Sequence, residues 1–222
     1  MSRARGFAPG WRARIVVANL WLHVRPAKVD PRSYRLSDTF CLGGLSAFLF
    51  GLLTLSGVFL MVYFRPAVPE AYHDVEDLMY AIPGGAFMRN LHRWAAHGMV
   101  LTVLLHMLRV FLRGAYRPPR EFNWIVGVSL LALTLLLSYT GYLLPWDQLA
   151  LWAVSVGTEM AASVPWLGPA ARRLLLGADE VGASAVLRFY VLHCVVLPLA
   201  AVALMSVHFW RVRKDGGLSL PL

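Results

Sequence analysis

Four stretches of the chain run without a formal charge for about the length of a membrane span, and polar connections marked by Pro and Gly separate them. The long ones are Thr39 to Phe64, Phe122 to Trp146 and Phe189 to Trp210, and a shorter run lies between Arg93 and Arg109. A helix needs roughly 20 apolar residues to cross a bilayer, so the pattern predicts four membrane-spanning helices. Residues 1 to 38 precede the first span and are rich in Arg. They are too long and too polar for a signal peptide, and no cleavage is expected. Within them, "GWRARIVVANLWLHV" (residues 10 to 24) puts Trp11, Ile15, Ala18 and Leu22 on one helix side and Arg12 and Arg14 elsewhere. That is the pattern of a helix lying in the membrane interface. The connection from Pro145 to Ala183 is too long for a bare turn, and it carries Pro145, Pro165, Pro169, Trp146, Trp152 and Trp166. Short helices in the interface, anchored by Trp, are expected there. The fold class is an all-α integral membrane protein: a four-transmembrane-helix bundle with an N-terminal interfacial helix. A cytoplasmic basic arm (residues 1–37) precedes one four-helix domain (residues 38–222).

Composition agrees, since 58% of the 222 residues are hydrophobic and only 15% charged, too apolar for an ordinary soluble domain. Charge then orients the chain. Residues 1 to 38 hold eight Lys/Arg, Arg109, Arg113, Arg117 and Arg120 border the second connection, and Arg211, Arg213 and Lys214 follow the last span. The first connection, Arg65 to Met88, carries Glu70, Asp74, Glu76 and Asp77 against one Arg. The positive-inside rule places both termini and the second connection in the cytoplasm. The net charge of +9 is a topology signal that also suits anionic lipid; no nucleic-acid partner is expected. Cys41 and Cys194 fall one in each of the first and last spans and form no disulfide framework.

Ionisable groups inside a span are costly and point to function. His92 and His106 are fourteen residues apart, about 40° from alignment on one helix face. His193 and His208 are fifteen apart, about 60° from alignment in the other sense. Each pair shares a stripe, with its members roughly 21 to 22 Å apart along the axis. Because both spans start outside, His92 and His193 share an outer level, and His106 and His208 share an inner one. A lone membrane histidine is more often hydrogen-bonded to a neighbouring helix. Two matched pairs are better read as two bis-His sites for haem, whose axial ligands are commonly His. His97 lies about 140° around the helix from His92 and is assigned no ligand role.

The other two spans repeat the interval in glycine: Gly43 and Gly57 are fourteen apart, as are Gly127 and Gly141. A glycine weakens a helix by about 1 kcal/mol relative to Ala, so room for a flat ligand at two heights would explain the placement. Small residues that let helices pack closely are the alternative. Haem propionates need cationic partners, and arginine suits carboxylates through its planar fork. Arg89 and Arg93 flank His92, and Arg120 lies at the inner level.

These residues resemble the short, four-helix cytochrome b6 branch of the cytochrome b family. The resemblance runs through "FCLGG" (Phe40 to Gly44), "YFRP" (Tyr63 to Pro66), "HRW" (His92 to Trp94), "PREFNW" (Pro119 to Trp124), "TGYLLPWDQ" (Thr140 to Gln148), "RFYVLH" (Arg188 to His193) and "HFWRVRKDG" (His208 to Gly216). It covers the chain from about Asp38 onward. The interval from His193 to His208 is the b6-like one. The resemblance implies transmembrane electron transfer in a quinol:cytochrome c (or similar acceptor) oxidoreductase complex, through two haem b groups, between an outer quinol-oxidation site and an inner quinone-reduction site. It implies a further, singly attached haem of c type on Cys41 and a basic residue, Arg213, near the inner quinone site. The implied partners are a three-helix subunit IV-like protein, a Rieske iron–sulfur protein and a c-type cytochrome in a dimeric complex.

There are departures. Residues 1 to 37 match poorly, leaving Asp30 and Asp38 as the candidates for a proton donor at the inner site. The family's PEWY-type segment is missing and belongs to the separate three-helix subunit in b6-like complexes, so this chain supplies only the Pro145 to Gln148 part of the outer pocket. Two other functions compete: a di-haem anchor passing electrons between quinone and a peripheral dehydrogenase or reductase, and a transporter or assembly scaffold with proton-relaying histidines.

Overall fold

The computed structural model describes residues 40–214; the basic arm with its expected interfacial helix, Asp30 and Asp38 lie outside the described residues. Four helices are long and apolar enough to cross a membrane, and no strand occurs among the described residues.

α1 (Leu42–Val62) begins after Phe40 and Cys41, whose φ angles of 48° and 51° turn the chain sharply into the helix. It ends before Arg65, whose backbone amide and guanidinium Nε both reach the Asp74 carboxylate, at 2.7 and 3.0 Å from Oδ2. Asp74 belongs to α2 (Glu70–Tyr80), a helix in the first connection that the charge pattern alone did not reveal. The strong hydrogen bonds from Arg65 hold the Asp74 carboxyl below the ordinary carboxylate range, although its burial acts the other way. The stabilisation is therefore present above the ordinary carboxylate value and is lost as pH falls through the lowered one. Asp74→Asn is expected to lower the thermal midpoint at neutral pH, with the gap to the parent closing in acid; a gap that persists at low pH would count against this.

Gly84, at φ 76°, and Gly85 make the turn into α3 (Gly85–Leu112). At Gly85 a Cβ would run into the Leu78 carbonyl, so the close approach of α2 requires glycine. α4 (Glu121–Leu143) follows. Short helices are expected in the long third connection, and it holds two, α5 (Gln148–Ala162) and α6 (Gly168–Leu176). Asp147 caps α5 by accepting from the Ala150 amide at 2.8 Å. The last span is one continuous helix, Ala183–Lys214, made of α7 (Ala183–Val191), a π-helical turn (Leu192–Val196) and α8 (Leu197–Lys214). It starts before the uncharged run because Arg188 turns away from it and donates to the Leu174 carbonyl at the end of α6, at 2.7 Å.

α1 packs mainly against α3, and α8 against α4. The dense core lies at one end, where Ala71, Leu143, Trp146, Val154, Leu176, Ala185, Val186 and Phe189 meet. Trp146 belongs to that core and is only 8% exposed, whereas Trp152 and Trp166 are exposed in the manner of interfacial anchors. Trp146 also has φ 51°, a region bulky residues seldom adopt, which its burial enforces. Along the spans themselves at most 17% of residues are buried within the chain. Most span surface is thus left for lipid, cofactor or other subunits.

Tyr139 joins α4 to α5 by donating from its hydroxyl to the Ala153 carbonyl at 2.8 Å. A Cβ on Gly157 would collide with that hydroxyl. Gly157→Ala is therefore expected to detach α5 from α4 and to raise proteolysis in the third connection, and an unchanged digestion pattern would contradict the packing.

Candidate functional site

The four histidines come together as two pairs, each joining α3 to the last span. His92 and His193 have ring centres 6.2 Å apart with planes at 73°, and His106 and His208 have centres 6.4 Å apart with planes at 80°. His97 stays outside both pairs, exposed and edge-on to Trp94.

The rings are held in a defined tautomer at the first level. His193 Nδ1 lies 3.1 Å from the Leu137 carbonyl, which can only accept, so Nδ1 carries the proton. Thr140 Oγ1 also approaches that nitrogen, at 3.2 Å. His92 Nδ1 lies 2.9 Å from Ser56 Oγ, whose own proton goes to the Leu52 carbonyl at 2.8 Å. That hydroxyl therefore accepts from His92. Both rings keep the Nε2 lone pair available. At the second level the arrangement differs, because His208 Nδ1 is buried without a partner among the described residues.

Each of the four interval glycines sits against one of these rings. A Cβ on Gly57 would lie 3.3 Å from His92 Cε1, one on Gly43 3.3 Å from His106 Cε1, one on Gly127 3.8 Å from His208 Cε1, and one on Gly141 2.6 Å from His193 Cε1. The glycines thus admit the imidazoles close against the backbones of α1 and α4. Ser56 and Thr140 escaped the sequence reading, yet a signal exists: a hydroxyl residue directly precedes the glycine at this level, Ser56-Gly57 and Thr140-Gly141. At the other level the preceding residues are Leu42 and Val126.

No cluster of three or more His, Cys, Asp or Glu side chains suited to a metal ion occurs among the described residues. Two imidazoles alone leave most of a metal's positions unfilled, so a metal here would bring its remaining ligands with it. With metal–imidazole bonds of about 2 Å and a ring radius of about 1.2 Å, a metal ion held between two facing imidazoles would set their centres about 6.4 Å apart. Both pairs fit a bis-His haem by that measure.

The cationic candidates spread around the pairs. Arg89 lies one helical turn before His92 and donates to Met79 Sδ at 3.3 Å, while Arg93 is exposed. Arg120 is buried at the start of α4, and Arg213 is exposed at the end of α8. Cys41 is exposed and stands two residues before Gly43, at the level of His106 and His208; Cys194 lies within the π turn.

A family model described as Cytochrome b/b6/petB matches residues 28–216. The chain belongs to the cytochrome b/b6 family. Among its relatives in the family, the menaquinol:cytochrome c reductase cytochrome b subunit of Geobacillus thermodenitrificans is 41% identical over 94% of this chain and 95% of its own length. Cytochrome b6 of Heliomicrobium gestii is 41% identical over 83% of this chain and 86% of its own. Among solved structures, a chain of a hyperthermophilic respiratory complex III matches with a TM-score of 0.73 at 27% identity, covering 93% of this chain and 54% of that one. This chain thus spans about half the length of that solved chain.

Proposed function

We propose that the chain is the electron-transferring core subunit of a quinol:cytochrome c oxidoreductase complex (or one with a similar acceptor), inactive by itself, with two b-type haems. His92 and His193 hold one and His106 and His208 the other. The observation that carries this is the repeated pairing: two imidazole pairs from the same two helices, at two levels, with the centre separation that one intervening iron requires. Haem supplies reversible one-electron chemistry that no side chain here provides.

The chain's own residues orient and bias that chemistry. Ser56, Thr140 and the Leu137 carbonyl fix the first-level rings with Nε2 free. A hydrogen bond at Nδ1–H raises the basicity of the opposite nitrogen, which favours ferric iron. The His92/His193 level is therefore expected to have the lower midpoint potential. Ser56→Ala should raise that potential and leave the other unchanged in a redox titration; an unmoved pair of potentials would contradict the assignment. Arg89, Arg93 and Arg120 are proposed partners for propionates, with Arg213 beside the quinone-reduction site.

By the charge pattern, His92 and His193 lie at the outer level and both termini in the cytoplasm, with residues 1–37 forming a basic arm ahead of the four-helix domain. The Pro145 to Gln148 region, with Trp146 buried and Asp147 capping α5, forms this chain's share of the outer quinol pocket. A three-helix subunit, a Rieske protein and a c-type cytochrome complete the assembly, taken as dimeric. Cys41, exposed at the inner level, is the proposed thioether attachment of a third haem. Haem staining after denaturing electrophoresis should show haem on the isolated polypeptide; none retained would remove it.

A reduced-minus-oxidised spectrum of the purified protein is the primary test, with two b-type components expected and no haem absorbance fatal. The di-haem anchor shares the four histidines but leaves Cys41 and "PWDQ" without a role. Copurification of a Rieske protein and a three-helix subunit supports the first reading, and of a soluble molybdenum or nickel subunit the second.

A further inference from the structure

The last span contains a widened turn that the paired histidines do not by themselves require. Over Leu192–Val196 the helix is π-helical, and the Leu197 amide donates to the Leu192 carbonyl, five residues back instead of four. His193 lies inside this turn and Pro198 just beyond it. A proline in a helix interior has no N–H to donate, and its ring crowds the carbonyl four residues earlier, here that of Cys194. Widening the turn relieves the crowding. Proline thus accounts for the place of the distortion, but not for a fifteen-residue interval between the two histidines.

Register accounts for the interval. Moving fourteen residues along α1, from Gly43 to Gly57, corresponds to moving fourteen back along α3, from His106 to His92. The same fourteen along α4, from Gly127 to Gly141, correspond to fifteen back along the last span, from His208 to His193. Two antiparallel helices keep matched contacts at two heights over unequal intervals only if the longer one stores a residue. The departures of about 40° one way for fourteen residues and about 60° the other way for fifteen differ by about 100°, which is one residue's rotation. A π turn inserted in an α-helix holds that one residue. It also has the wider radius, in keeping with His193 being the ring pressed hardest onto its glycine: 2.6 Å at Gly141, against 3.3 to 3.8 Å at the other three.

We propose that the π turn at Leu192–Val196 is a phase corrector: it stores the fifteenth residue, so that His193 and His208 meet α4 and α3 in the same register as His92 and His106. The inference rests on the reading that both pairs hold haem. It assigns the extra residue no role beyond keeping phase, so its removal together with the proline should be tolerated.

The test uses the whole complex in its membrane. Deletion of Val196 combined with Pro198→Ala leaves a fourteen-residue interval in a regular α-helix. The polypeptide is expected to accumulate as the parent does, with two b haems per chain and both low-spin electron paramagnetic resonance signals, whose anisotropy reports the angle between imidazole planes. Insertion of one alanine after Val202 lengthens the interval to sixteen and should rotate His208 by about 100°, halving the b-haem content from two to one per chain. Loss of either signal from the deletion variant, or its absence from the membrane, overturns the proposal. A parent protein without haem would overturn the haem reading itself, which separates the two failures.

Discussion

Replacing His106 with alanine is expected to abolish one low-spin b-haem signal and to leave the other in place. The two levels draw on separate imidazoles: His106 faces His208, with ring centres 6.4 Å apart, and neither belongs to the His92 and His193 pair. Without that ring a haem at this level would have only His208 to hold it, because no cluster of three or more His, Cys, Asp or Glu side chains occurs among the described residues. Loss of the axial bond together with the ring's packing should cut occupancy of that site by at least the 10–100-fold that loss of a mere supporting contact costs a metal site. The parallel change His92→Ala should remove the other component. A reduced-minus-oxidised spectrum with both components intact in His106→Ala would refute the assignment of that pair.

The second large effect is expected at Gly141, and its size depends on geometry that the shared fourteen-residue interval hides. An alanine Cβ there would lie 2.6 Å from His193 Cε1 and 3.1 Å from both ring nitrogens. The ring has little freedom to yield, because its Nδ1 is held by the Leu137 carbonyl and Thr140 at 3.1 and 3.2 Å. Gly141→Ala should therefore tilt His193 off its axis and remove the same haem signal as His193→Ala. Gly127→Ala is the control. Its Cβ would meet His208 Cε1 at 3.8 Å and Met107 Sδ at 3.5 Å, both ordinary contacts. Exchange of glycine for alanine in a helix favours the helix by about 1 kcal/mol, so that variant should keep both haems and be no less stable. Gly43→Ala and Gly57→Ala, at 3.3 Å, should fall between. Equal haem retention in Gly141→Ala and Gly127→Ala would show that the rings are not seated as described.

The spans, their number and the pairing of histidines were legible because a bilayer imposes length and apolarity on a segment locally, and because helical periodicity fixes which residues share a stripe. α2 was not legible: its eleven residues are too polar to register as a span, and what holds it is a contact with Arg65 outside the helix. Trp146 reads as an interfacial anchor from sequence alone, whereas it is buried in a cluster with residues of α2 and α7, far from it along the chain. Arg188 marks the edge of the uncharged run, so hydropathy starts the last span at Phe189, whereas the helix begins at Ala183 and Arg188 finds its partner in a carbonyl on α6.

Hydropathy, residue spacing and an ordered series of motifs, all properties of the chain read one segment at a time, suffice to specify a four-span membrane protein of the cytochrome b/b6 family with two pairs of histidines on shared stripes. Which ring each glycine admits, which histidines have a fixed tautomer and where the last span widens into a π turn emerge from the packing alone. Those depend on the packing of helices that are far apart along the chain, where an ångström at Gly141 or one residue in a turn decides whether a ring can sit in line.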